Sequence, residues 1–211
     1  MKASLTRIAI AIQGGAANTA FAAGALRTLF EEGVHERFRI VSLSGASGGA
    51  ITAALAWSAL LQGDPNPWQR IEAFWRDRMA VTPDEHAWNA QLLETLEDAD
   101  AVRLPAVEVD RRSPLVAAMY GLSVRGLRPD FVDLRRVLQR HLDLAVLAPL
   151  AGDPRAPALV VGAVDVLSGR LAKFSSHAQT LRVEHLLASC AQPNLNAPVE
   201  IDGRPYWDGL Y

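Results

Sequence analysis

The hydrophobic pattern of the N-terminal part of the chain repeats one arrangement twice: a short apolar segment, a glycine-containing turn and a helix-forming segment. Residues 5–12 read as a buried strand, and residues 19–32 carry apolar side chains at helical spacing up to Gly33, which is suited to end a helix. Residues 39–43 form the second apolar segment, and the helix that follows its glycine turn reaches about Leu61. Two such units in succession predict a parallel sheet flanked by helices, with both turns at its carboxyl edge, where α/β folds place their sites.

The middle of the chain has helical rather than strand periodicity. Helices are predicted near 67–79, 83–98, 113–121 and 130–142. Prolines suited to the first turn of a helix stand near three of their starts, at Pro83, Pro114 and Pro129. The region from about 64 to 150 is therefore predicted to be a helical insertion within one domain covering residues 1–211. Four of the five tryptophans lie between positions 57 and 88, a clustering compatible with an apolar lid as well as with packing between helices.

Strand patterns return in the C-terminal third. Residues 157–167 and 170–175 flank a Ser-Gly turn and predict two strands, and residues 180–190 predict a helix. Residues 199–207 read as a hairpin around Asp202-Gly203. This hairpin leads directly into Asp208-Gly209, so the C-terminal hairpin carries an acidic residue in a tight turn.

Composition narrows the function classes. The chain has 211 residues, half of them hydrophobic, with a net charge of −2, and no basic stripe that would indicate nucleic-acid binding. The single cysteine, Cys190, rules out an internal disulfide, so nothing requires an oxidising compartment. No segment approaches the roughly 18 apolar residues of a membrane span, and the apolar N-terminal segment is interpreted as a strand rather than a signal peptide. We expect a cytoplasmic protein, with peripheral membrane contact left open.

A candidate nucleophile lies in the second turn. Gly45-Ala46-Ser47-Gly48-Gly49 follows a strand and precedes a helix, which is the arrangement of the G-x-S-x-G nucleophile elbow. The serine main chain is strained in such a turn, so the flanking positions Gly45 and Gly49 must be small to let the strand and the helix pass closely. Ser47 would then stand at a helix N-terminus, which favours developing negative charge.

Two kinds of base are available for Ser47. A histidine triad would use Asp165 with His177 or His185, but His185 falls in a helical pattern and His177 in a polar turn. The other candidate is Asp208, whose carboxylate becomes a workable base if burial raises its pKa.

The first glycine turn is a candidate oxyanion hole. The N–H groups of Gly14, Gly15 and Ala16 precede a helix and could form an anion-binding nest. The turn lacks the third glycine of a dinucleotide loop and the Lys-Ser/Thr of a P-loop, so neither type of nucleotide site is supported.

Three segments together resemble the motifs of the patatin-like phospholipases. Residues 13–18 (QGGAAN) resemble that family's glycine-rich oxyanion segment, and residues 45–49 (GASGG) resemble its nucleophile elbow. Residues 188–193 (ASCAQP) and 201–209 (IDGRPYWDG) are similar to its Asp-Gly segment. The motifs occur in the family's order and span nearly the whole chain.

The resemblance implies a three-layer α/β/α sandwich with a mainly parallel central sheet. It also implies hydrolysis of lipid acyl esters through an acyl-serine intermediate, with no metal or other cofactor. Ser47 would be the nucleophile, Asp208 the base of a dyad without histidine, and the Gly14, Gly15 and Ala16 amides the oxyanion donors. Asp165 would hold a structural position after a sheet strand.

The sequence departs from the family pattern at several positions. Ala16 stands where a third glycine is usual, Asn18 and Thr19 stand where a basic residue and a further glycine are common, and Leu210 follows the Asp-Gly pair. Catalytic domains of the family continue past that pair, so a C-terminal part of the domain is expected to be missing. These departures keep an alternative open: a non-catalytic lipid-binding or interaction module on the same fold.

Overall fold

The computed structural model describes residues 5–15, 18–100, 114–193 and 196–210. The strands are β1 (Arg7–Ile12), β2 (Arg39–Ala46), β3 (Ala158–Asp165), β4 (Arg170–Ser175), β5 (Val199–Ile201) and β6 (Arg204–Asp208). The helices are α1 (Thr19–Glu31), α2 (Val34–Arg37), α3 (Gly48–Leu61), α4 (Pro67–Asp77), α5 (Pro83–Asp100), α6 (Pro114–Ser123), α7 (Pro129–Val132), α8 (Leu134–His141), α9 (Leu144–Ala151) and α10 (Val183–Ser189). The α/β class expected from the sequence is confirmed.

The strands form one mixed sheet. β1, β2 and β3 run parallel to one another, and β4, β5 and β6 enter through antiparallel pairings. β1 and β2 are parallel because helical residues between them return the chain to the same end of the sheet. β5 and β6 are antiparallel because they are joined by a two-residue turn, at Asp202 and Gly203, in which φ is 50° and 79°. Positive φ at both positions is what a type I′ hairpin turn requires.

Some elements differ from the sequence predictions. β1 was predicted to be buried, but its residues alternate between exposed and partly buried until Ile12. The prediction was wrong because β1 lies at the end of the strand order in the described sheet and pairs only with β2 there, which a run of apolar residues cannot reveal. Helices α2 and α9 were not separately predicted. α2 has only four residues, and α9 contains Pro149, a residue that argues against a helix interior.

The described chain divides into two compact units. Unit 1 comprises residues 1–75 and 137–211, and unit 2 comprises residues 76–136. Unit 1 contains the whole sheet and each described candidate residue of the site. The sequence prediction of a single domain with an insertion from about 64 to 150 stays a prediction.

Unit 2 contains a buried carboxylate that is paired with a partly exposed arginine. Glu85 is fully buried, accepts the N–H of Val81 at 2.8 Å and pairs with Arg128 Nε at 2.6 Å. The hydrogen bond from Arg128 is the main reason why the pKa of Glu85 falls to about 2, and burial opposes that fall. Arg128 also donates to the Met79 carbonyl at 2.6 Å. The pair thus ties the start of α5 to the chain that precedes α7.

β2 and β6 meet end to end beside β3. Residues Ala163 to Asp165 of β3 pair with β4 and also with β6, so β6 must occupy the edge of β3 that β4 leaves free. β2 uses that same edge further back along β3, where Ala46 pairs with Gly162. Because β6 runs in the opposite direction, its last residue, Asp208, pairs with the next residue, Ala163. The carboxyl ends of two strands that are distant in sequence therefore face each other.

Glycines allow α3 to lie against the strand ends. A Cβ on Gly45 would come within 2.5 Å of the Gly49 carbonyl carbon, and a Cβ on Gly49 would overlap the Ile12 carbonyl and lie 2.7 Å from that of Gln13. These neighbours are main-chain atoms, which cannot rotate away as a side chain can. α3 is buried along almost its whole length, so the close approach fixes the turn at Ser47 against the core.

Replacement of Gly49 by alanine should therefore destabilise the protein. We expect Gly49→Ala to lower the free energy of unfolding by about 2 kcal/mol or more through overpacking. Gly24→Ala is the matched control, because Gly24 lies inside α1 with open space around it, and it should raise the same quantity by about 0.5–1 kcal/mol. Urea unfolding followed by circular dichroism measures both. Equal effects of the two substitutions would contradict the packing at Gly49.

Candidate active site

Ser47 occupies the turn between β2 and α3 in a strained conformation. Its φ is 55° and its ψ is −135°, a combination that residues other than glycine rarely adopt. The residue is 4% exposed. α3 begins directly after it, so the positive end of a well-formed helix lies next to the serine. The turn presents one hydroxyl at the carboxyl end of β2.

Gly14 lies directly beside Ser47. A Cβ on Gly14 would stand 2.7 Å from the Ala46 carbonyl oxygen and 3.0 Å from the Ser47 Cβ, so any larger residue would displace the serine or the loop. Gly15 has a φ of 149°, which also favours glycine. Within the described ranges, neither the Gly14 N–H nor the Gly15 N–H is used in a hydrogen bond. Ala16, the third predicted oxyanion residue, lies outside the described residues.

Asp208 brings a buried carboxyl to the same place. It is fully buried, and its Oδ1 accepts the Leu210 N–H at 3.0 Å, while Oδ2 has no hydrogen-bond partner of ordinary geometry among the described residues. Burial raises the pKa of Asp208, and interaction with the Ser47 hydroxyl opposes part of that rise. The Asp208 carboxyl therefore lies near the Ser47 hydroxyl, in surroundings that favour its protonated form over the carboxylate.

The histidines considered in the sequence analysis have other partners. Nδ1 of His185 accepts the Arg182 N–H at 2.8 Å at the start of α10, and burial lowers the pKa of this histidine. His177 is exposed and its Nε2 lies 3.2 Å from the Ala156 carbonyl oxygen. No hydrogen bond among the described residues joins either ring to Ser47.

Asp165 is committed to the β3–β4 turn and to β6. Its Oδ1 accepts the Leu167 N–H at 2.9 Å, and its Oδ2 accepts the Arg204 guanidinium at 2.8 Å. The Arg204 hydrogen bond holds the pKa of Asp165 below its usual range. Arg204 begins β6, so this ion pair anchors the hairpin whose other end carries Asp208.

Two residues at the site received no role in the sequence analysis. Ser189 is fully buried and contacts the main chain of Ser47; it stands in a segment that resembles a family motif, but sequence alone does not say what it touches. Leu210 would contact a Cβ on Gly14 at 2.9 Å while remaining half exposed. It gives the surface next to Ser47 an apolar character.

Two kinds of feature are absent from the part of the chain that is described. No group of three His, Cys, Asp or Glu residues there is arranged to hold a metal ion. None of the helices there is long and apolar enough to cross a membrane.

The opposite pKa shifts of Asp208 and Asp165 predict opposite effects on stability. Asp208→Asn should raise the melting temperature at neutral pH, because the raised pKa means that ionised Asp208 destabilises the folded state. Asp165→Asn should lower it, because the lowered pKa means that ionised Asp165 stabilises the folded state.

The difference in melting temperature between each variant and the wild type should shrink on acidification. For Asp208→Asn the difference in melting temperature develops as the pH rises from about 4, the ordinary pKa of an aspartate, through the raised pKa of Asp208 in the folded state. For Asp165→Asn the difference in melting temperature is lost as the pH falls from about 4 through the lowered pKa of Asp165 in the folded state. Differential scanning fluorimetry between pH 3 and 8 measures both, and a loss of stability in Asp208→Asn equal to that in Asp165→Asn would contradict the assignment.

Comparison with family models identifies the family of the chain. The sequence matches the family model Patatin, described as patatin-like phospholipase, over residues 10–211, whereas a comparison with curated proteins gives no match. Among solved structures, the chain is similar to VipD from Legionella pneumophila, with 15% identity, a TM-score of 0.48, and coverage of 98% of this chain and 46% of VipD.

A second similar structure is the heterodimeric ExoU–SpcU complex from the type III secretion system of Pseudomonas aeruginosa. Identity is 19% and the TM-score is 0.43, with coverage of 92% of this chain and 38% of the matched chain. This chain therefore spans less than half the length of either matched chain. Because the family model extends over nearly the whole sequence, the chain belongs to the patatin-like phospholipase family.

Proposed function

We propose that the protein is a serine hydrolase that cleaves acyl ester bonds of lipids with a Ser47–Asp208 dyad. The observation that carries the proposal is the meeting of a serine in a strained turn with a buried carboxyl whose Oδ2 is unpartnered among the described residues. Membership of the patatin-like phospholipase family supports lipid esters as the substrate class.

Asp208 would act first as the base. Burial raises the pKa of Asp208, which makes its carboxylate a stronger base than an exposed aspartate. The difference between the pKa of this carboxyl and that of the serine hydroxyl is therefore smaller. The carboxylate takes the proton from Ser47 Oγ while that oxygen attacks the ester carbonyl carbon. No histidine is required for this transfer.

The tetrahedral oxyanion needs hydrogen-bond donors. The Ser47 N–H donates to Ser189, so it is not free to serve as a donor as it does in some serine proteases. The Gly14 and Gly15 N–H groups, which are unused in the described ranges, are the donors that we assign to this role, together with Ala16 from the same loop. The N-terminus of α3 adds a favourable dipole.

Collapse of the intermediate completes the first half of the reaction. The bond between the acyl carbon and the alcohol oxygen breaks, the leaving alcohol takes the proton from Asp208, and the acyl group stays on Ser47. Water then gives a proton to Asp208 and attacks the acyl carbon, and Ser47 recovers its proton as the fatty acid leaves.

The half-exposed Leu210 and the exposed Phe21 in the first turn of α1 offer apolar surface to a lipid substrate.

Hydrolysis of a short-chain chromogenic ester such as p-nitrophenyl butyrate tests the proposal. Ser47→Ala and Asp208→Asn should each lower kcat/KM by about 10³-fold or more, because nucleophile and base act as a unit. His177→Ala is the control and should keep wild-type activity.

Two results would count against this function. If Asp208→Asn kept near-full activity while a substitution of His177 or His185 abolished it, a histidine triad would replace the dyad. If the folded wild-type protein hydrolysed no ester and Ser47 resisted fluorophosphonate labelling, the chain would be a non-catalytic module on this fold.

A further inference from the structure

We propose that Ser189 is a positioning residue that holds the main chain of Ser47 in its strained turn. The proposal concerns the geometry of the turn, and its catalytic consequence rests on the function proposed above. Ser189 is the last residue of α10 and lies 142 positions from Ser47 in the sequence. It would act through Ser47 without touching the substrate.

Ser189 supplies two acceptors to one N–H group. The Ser47 N–H lies 2.9 Å from Ser189 Oγ and 3.0 Å from the Ser189 carbonyl oxygen. The Ser189 hydroxyl in turn donates to the Gly162 carbonyl at 2.6 Å. Since a hydroxyl has a single proton to donate, this bond to β3 fixes its direction and leaves its lone pairs facing Ser47.

The bond to β3 gives the contact its rigidity. Gly162 pairs with Ala46, the residue before Ser47, so the hydroxyl of Ser189 bridges the strand next to the turn and the turn itself. Ser189 is fully buried, and a buried hydroxyl with both roles satisfied is held firmly. A strained conformation persists only where the surroundings over-determine it, and this bridge is one of the constraints that do so.

The same segment also holds Asp208. The Asp208 N–H donates to the Ala191 carbonyl at 2.9 Å, two residues after Ser189. Residues 189–191, at the end of α10 and directly after it, thus bind the main-chain N–H groups of both members of the proposed dyad. A shift of this segment would change the separation of the Ser47 hydroxyl and the Asp208 carboxyl, and misplacement of catalytic groups by about 1 Å can lower rates by about 100-fold.

Ser58 offers a matched control. It is also a fully buried serine, in the helix that follows Ser47. Its hydroxyl donates to the Leu55 carbonyl at 2.8 Å and accepts from Arg70 at 3.3 Å, so it plays both hydrogen-bonding roles without contacting the turn. A general effect of deleting a buried hydroxyl should appear in Ser58→Ala as well as in Ser189→Ala.

Amide hydrogen exchange tests the positioning role without reference to catalysis. With exchange followed by NMR, the Ser47 N–H should exchange at least about tenfold faster in Ser189→Ala than in wild type, relative to core amides of β3. Ser58→Ala should leave that ratio unchanged. If Ser189→Ala does not fold, Ser189→Cys keeps the volume nearly constant with a much weaker hydrogen-bonding group and should show the same increase. An unchanged ratio in the folded variant would overturn the proposal.

Kinetics with the chromogenic ester test the consequence for catalysis. Ser189→Ala should lower kcat by about tenfold or more with little change in KM, Ser58→Ala should leave kcat unchanged, and Ser189→Thr, which keeps the hydroxyl, should recover most of the rate. If Ser189→Ala and Ser58→Ala changed kcat by the same factor, the catalytic role of Ser189 would be overturned. If wild type itself is inactive, the proposed function fails, whereas the exchange ratio still decides whether Ser189 holds the turn.

Discussion

The main-chain conformation of Ser47 is the constraint on which the rest of the site depends. A non-glycine residue at a φ of 55° carries strain of about 1–3 kcal/mol, which neighbouring contacts must offset. Gly45 and Gly49 allow α3 to approach the strand, and Gly14 fits against the turn where no Cβ would. The Ser47 N–H has no hydrogen-bond partner within β2 or α3, and Ser189 accepts its hydrogen bond. The small residues are therefore required by contact between main chains, and their positions in the sequence follow from that contact.

The end-to-end meeting of β2 and β6 is the feature of the fold that supports the proposal of an aspartate base in place of a histidine. Both strands use one edge of β3, so Asp208 is delivered to the end of β2 within the core. Burial there destabilises the ionised carboxylate and raises its pKa, which improves a base that would be weak in water. The same burial lowers stability at neutral pH. The burial of Asp208 thus makes its carboxylate more basic and the folded protein less stable, a trade-off that is common at functional sites.

Sequence patterns predicted the elements whose limits are set locally. Gly33, in left-handed conformation, follows α1, and Pro83 begins α5 as expected, because these residues act through their own backbone preferences. The edge position of β1 and the contacts of Ser189 were not predictable in this way, since they depend on which distant segments pair. Of the proposed site, the motif pattern indicated Ser47, Asp208 and the glycine loop. It could not indicate that two strand ends meet beside β3, which is a property of the sheet register.

The pH dependence of Ser47 labelling by a fluorophosphonate probe tests the account most directly, because it measures activation of the serine without a substrate-binding step specific to any lipid. We predict that the labelling rate of wild type rises with pH through an inflection above about 4, the ordinary pKa of an aspartate. This inflection should be retained in His177→Ala and absent from Asp208→Asn, whose labelling should be slow at every pH. Labelling that is fast in Asp208→Asn, or that titrates with a histidine, would contradict the account.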